Sequence, residues 1–121
     1  MCAALQSLHH AVRIQSVSLP QSQGFDTCER VKTADGAQEI HCRWPFPYRD
    51  VAAMSWFEGL TAGVTACLED AMPKPREPGV NHPDIYLLRE FADPETTLYI
   101  SLKDKAALDS TFVFLRLAPL R

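Results

Sequence analysis

The chain has 121 residues, 46% hydrophobic and 22% charged, which suits one domain spanning 1–121 with its own core and no need of metal or disulfide staples. Its net charge of −3 lacks the basic excess that nucleic-acid binding favours. No apolar run approaches the ~18–20 residues that cross a bilayer, so neither nucleic acid nor membrane is an expected partner. The first ten residues carry no positive region and no apolar stretch long enough for a signal peptide, so the expected location is cytoplasmic.

Charge is unevenly spread: residues 1–49 carry five Lys/Arg against four Asp/Glu, and residues 50–121 carry seven against eleven. The cysteines are Cys2, Cys28, Cys42 and Cys67, with no C-x-x-C pair and no compact framework. Without an export signal they read as free thiols, with Cys42 and Cys67 at apolar positions where a thiol acts as a small hydrophobe.

In chain order, residues 1–8 read as a ragged start or a short helical turn. Residues 9–19 read as a strand, with Val12 and Ile14 on one side and a bulge near Gln15 and Ser16. A second strand is predicted over 27–33 and a third over 38–44, joined by an Asp35-Gly36 turn. Ile40, Cys42 and Trp44 alternate with Glu39, His41 and Arg43, the pattern of a half-buried sheet. Pro45 and Pro47 are expected to end that strand, since neither can donate to a ladder.

The principal helix is predicted over 50–72, with Asp50 as N-cap or a second start at the Ser55–Glu58 capping-box pattern. The proline-rich stretch 72–84 reads as a stiff surface connector. Strands follow at 84–91, 97–103 and 111–118, the first two joined by a turn with Asp93 first and Pro94 second. The last strand is apolar on both parities, which suggests a central position. The expected fold is therefore α+β: an antiparallel sheet of about six strands, two three-stranded meanders around one principal helix, βββ-α-βββ.

At ~100° per residue, Ala53, Phe57, Leu60, Val64, Cys67, Leu68 and Ala71 form the core stripe of that helix. Gly59 and Gly63 lie beside it, and each costs about 1 kcal/mol relative to alanine, so close approach of another backbone is expected there. The far side carries Met54, Glu58, Thr61, Thr65 and Glu69, Asp70 follows in the last turn, and the segment 50–72 holds no Lys or Arg. Glu69 and Asp70 in a last helical turn would oppose the dipole by about 0.3–1 kcal/mol, an arrangement that stability alone would not select. These six residues are the candidate partner-binding face, suited to a basic protein partner.

Other chemistry finds little support. His9, His10, His41 and His82 lack the short-spaced ligand pair of a zinc site, so no metal is expected. There is no phosphate-cradling loop, dinucleotide fingerprint or nucleophile elbow, so no cofactor and no catalytic residue is assigned. The favoured reading is a non-catalytic protein-binding module, such as a toxin-neutralising immunity protein or an effector-specific chaperone. The alternative is a small-ligand-binding or sensory domain with a pocket between helix and sheet, bounded by Trp44, Trp56 and Phe57. A Cys/His enzyme is the weakest reading, because no cysteine has an activating motif.

Overall fold

The computed structural model describes residues 1–75 and 86–120. Most of the proline-rich connector, His82 and the first residues of the strand expected at 84–91 lie outside the described residues. The elements are α1 (Cys2–Arg13), β1 (Cys28–Lys32), β2 (Gln38–Pro47), α2 (Val51–Cys67), β3 (Met72–Pro73), β4 (Tyr86–Ala92), β5 (Thr96–Lys105), a 3-10 turn (Ala106–Leu108) and β6 (Ser110–Pro119).

The first element corrects the strand expected at 9–19. Ala4, Leu5, Leu8, Ala11 and Val12 are buried, and their spacing of three, four and seven draws one stripe down a helix. Val12 belongs to that stripe, whereas Ile14 and Val17, which suggested alternation, are exposed. The helix stops where Gln15 enters the left-handed region at φ 54°. Its side-chain amide donates to the carbonyls of Val12 and Gln38, and its Oε1 accepts from Gln38 N–H. One residue thus ends α1 and ties it to the start of β2.

All six strands form one antiparallel sheet in the order β1-β2-β6-β5-β4-β3. The fold is α+β, with two α-helices among the described residues. The hairpin β1–β2 turns at Gly36, whose φ of 89° favours glycine. α2 then carries the chain to the opposite edge, where β3 begins, and β4, β5 and β6 return strand by strand until β6 lies against β2. The expected central place of the last strand holds. Pro45 and Pro47 do not end β2, which runs to Pro47 opposite Ser110. β1 pairs β2 only from Gln38 to Cys42, so beyond Cys42 one side of β2 is an open edge, where a missing N–H is tolerated.

Asp50 is the N-cap of α2; its carboxylate accepts from Ala52 N–H at 2.9 Å. All seven residues of the expected core stripe are buried. The helix nevertheless ends at Cys67, not at residue 72. Glu69 and Asp70 lie in a turn beyond it, so the argument from an opposed dipole does not apply, and Met72 belongs to the edge strand β3. The two glycines differ. A Cβ on Gly63 would meet Met1 Sδ at 2.5 Å and Leu5 Cδ1 at 3.1 Å, so Gly63 admits side chains of α1 rather than a backbone, while Gly59 faces open space.

None of the four cysteines is a free thiol. Cys2 pairs with Cys67 and joins the start of α1 to the end of α2, and Cys28 pairs with Cys42 directly across β1 and β2. Both helices pack against the same face of the sheet and against each other. On that face Leu98, Ile100 and Leu102 lie opposite Leu117, Leu115 and Val113, and all six are at most 3% exposed.

Candidate binding face

Because strand side chains alternate, the residues between those core positions point to the other side of the sheet, which neither helix covers. The register arranges them in rows across the strands. One row is Tyr86, Lys103, Phe112 and Pro45; the next is Leu88, Ser101, Phe114 and Arg43; a third is Glu90, Tyr99, Arg116 and His41. Aromatic and cationic side chains therefore meet from strands distant in sequence.

Phe112 and Phe114 stack at 5.8 Å with an interplanar angle of 21°. Arg43 and Lys105 lie over the Phe112 ring at 5.9 and 5.8 Å, and Lys103 lies 5.7 Å from the Phe114 centroid and 5.1 Å from that of Tyr86. Among the described residues none of these three cations has a carboxylate within salt-bridge distance. Each such contact is worth about 0.5–1 kcal/mol at an exposed site, enough to orient the cations but not to neutralise them.

The neighbouring charges are compensated. Arg116 grips Glu39 in a two-point contact, Nε to Oε1 at 2.9 Å and an Nη to Oε2 at 3.2 Å, and His41 Nε2 stands 2.9 Å from Oε1. The Arg116 hydrogen bonds hold the Glu39 carboxyl below the usual range against the opposing effect of burial, and Glu39 raises Arg116 in return. Arg116 also lies 4.8 Å over the Tyr99 ring. Its charge is already engaged, whereas Lys103 has no carboxylate partner among the described residues.

Ser101, a small residue among large ones, makes the floor of a groove of about 420 Å³ whose walls include Leu88, Tyr99, Lys103, Phe114 and Arg116. That volume sits at the lower end of the ~300–1,000 Å³ range of ligand pockets, room for one ring-sized group.

The residues assigned from sequence are placed differently. Met54 and Thr61 are half-buried on α2, while Glu58 and Thr65 are exposed. Thr61 and Thr65 donate their hydroxyls to the carbonyls of Phe57 and Thr61, one helical turn back. Cys67, where α2 stops, lies about 13 Å along the axis from Glu58, so Glu69 and Asp70 do not join Glu58 on one helical face. They border a separate depression of about 300 Å³ beside His9, His10 and Arg13 of α1.

Trp44, Trp56 and Phe57 do not converge on one opening. Trp44 and Trp56 meet edge to face at 5.2 Å, with Phe25 against both at 5.4 and 6.1 Å. Phe57 is fully buried beneath the Arg89 guanidinium. The thiol that a Cys/His enzyme requires is held in a disulfide at every cysteine. Among the described residues no group of three His, Cys, Asp or Glu side chains is placed to hold a metal ion, and no helix is long and apolar enough to cross a membrane.

Sequence reasoning missed Arg43, Tyr99, Ser101, Lys103, Lys105, Phe112 and Phe114 as a group. The available signal was the pair Phe112 and Phe114 on the parity opposite Val113, Leu115 and Leu117. Comparison with protein-family models, curated proteins and solved structures gives no match to this chain.

Proposed function

We propose that this chain is a non-catalytic binding module that docks an acidic protein partner through the open face of its sheet and works in an oxidising compartment. The observation that carries the reading is the trio Arg43, Lys103 and Lys105, seated on aromatic rings without carboxylate counter-ions among the described residues, on a sheet face that neither helix covers. An anionic partner relieves the mutual repulsion of these cations and takes the half-buried rings out of water. The chain's net charge of −3 does not oppose this strongly, because charges beyond a Debye length of about 8–10 Å are largely screened. The two disulfides support an oxidising site of action over the cytoplasmic one expected from the amino-terminal residues.

The partner's charge is thus opposite to the one expected from the helix. A basic partner held by Glu58, Glu69 and Asp70 is the competing reading, and the two separate cleanly. Polyglutamate and polylysine are presented to the immobilised, disulfide-intact protein. Retention of polyglutamate is expected to weaken steeply with salt and to vanish in the triple variant Arg43→Glu, Lys103→Glu, Lys105→Glu. It should survive Glu58→Lys, Glu69→Lys, Asp70→Lys. Retention of polylysine that disappears only in the second variant establishes the helix-face reading instead.

A further inference from the structure

We infer that the groove over Ser101 is an anchor site for one aromatic side chain of the partner, so that the recognised segment is an aromatic residue flanked by Asp or Glu. The inference rests on the open-face reading and adds the chemistry of the contact. The floor is Ser101, 9% exposed, and the walls include the rings of Tyr99 and Phe114. Two rings facing a concave, mostly apolar space of about 420 Å³ suit a third ring packed edge or face against them.

The charge at the groove fixes what must stand beside that ring. Arg116 lines the wall, but its guanidinium is held by Glu39 in a two-point contact through Nε and one Nη. Lys103 lines the same wall over the rings of Phe114 and Tyr86, with no carboxylate within salt-bridge distance among the described residues. An ammonium on the rim of an aromatic slot matches a carboxylate next to an aromatic residue. Arg43 and Lys105, over the adjacent Phe112, extend the cationic rim to one side and match further acidic residues of the same segment.

The test compares two probes on the disulfide-intact protein: polyglutamate, and a random copolymer of glutamate and tyrosine of equal length. The copolymer is expected to bind about tenfold more tightly, the scale of taking one aromatic side chain out of water. Filling the groove with Ser101→Trp should erase that preference, so that the copolymer binds no more tightly than polyglutamate. Phe114→Ala, which removes a wall without crowding the strand, should reduce the preference in the same way, and a thermal melt confirms that each variant is folded.

A preference for the copolymer that persists in both folded variants overturns the anchor site while leaving the cationic face intact. Equal binding of the two probes by the unaltered protein also overturns it. Failure of both probes to bind, with no effect of reversing Arg43, Lys103 and Lys105, overturns the open-face reading itself.

Discussion

The two faces of the sheet are built from the same strands and differ in everything else. On the covered face, Leu98, Ile100, Leu102, Val113, Leu115 and Leu117 pack under two helices and are sealed from water. On the open face, the alternating residues Tyr99, Ser101, Lys103, Phe112, Phe114 and Arg116 combine rings with charge. Stability accounts for the first set without any partner. It accounts less well for the second, where rings remain half-exposed and three cations have no carboxylate within salt-bridge distance among the described residues. A sheet face that had only to be soluble would carry short polar residues and balanced pairs, as it does where Arg116 meets Glu39.

The contrast is broken most forcefully at the staple of the covering layer. The Cys2–Cys67 bond closes a loop of 65 residues in sequence separation, and Cys28–Cys42 one of 14. Loop-closure entropy gives about 4 kcal/mol for the first and about 3 kcal/mol for the second. Replacing each pair by serine should lower unfolding free energy in that order, read from urea denaturation. A larger loss at Cys28–Cys42 would show that the edge hairpin, not the helix layer, is the weaker part.

A truncation on each face of β6 sharpens the same comparison. Leu115→Ala removes a fully buried side chain and should cost about 2–5 kcal/mol. Phe114→Ala, one residue away on the open face, should cost less than half as much despite deleting a larger group. Equal losses would mean that Phe114 is a core residue and that the open face is ordinary packing.

The smallest effect is on acid stability. The carboxyls of Glu39 and Asp93 are both depressed. For Glu39 the Arg116 hydrogen bonds dominate. For Asp93, burial pushes upward but is outweighed by hydrogen bonds from the Thr96 side chain, the Glu95 and Thr96 N–H groups and His9. A depressed carboxyl contributes stability that is fully present above its unfolded pKa, about 4.3 for Glu and 3.9 for Asp, and is lost as pH falls through the lower folded value. The melting temperature should therefore drop below about pH 4, and Glu39→Gln should flatten part of that drop. Because the Arg116 side chain is 46% exposed, screening limits the contribution of its pair with Glu39 to about 1 kcal/mol at most.

Much of the fold was legible in local pattern. All seven residues of the expected stripe are buried, five of them on α2 and Leu68 and Ala71 just beyond its end, because a 3.6-residue period needs no tertiary information. The Gly36 and Asp93 turns were legible for the same reason: one residue's backbone or side chain decides each. Misreadings came where local signals competed. Val12 and Ile14 suggested alternation, yet Leu5, Leu8 and Val12 already lay on a helical stripe. Prolines in β2 suggested an end, yet a proline at an open edge sacrifices no shared ladder bond.

What the sequence determined by itself is the α+β class, the N-cap and buried stripe of α2, and the two-faced apolar β6 that had to lie inside the sheet. Each follows from periodicity or from the chemistry of one residue. Only the tertiary structure decided which cysteines pair, since pairing depends on which positions come together in space. The same holds for the binding face. Phe112 and Phe114 are two residues apart, but Arg43, Lys103 and Lys105 reach them from separate strands, and strand register is the physical quantity that joins them.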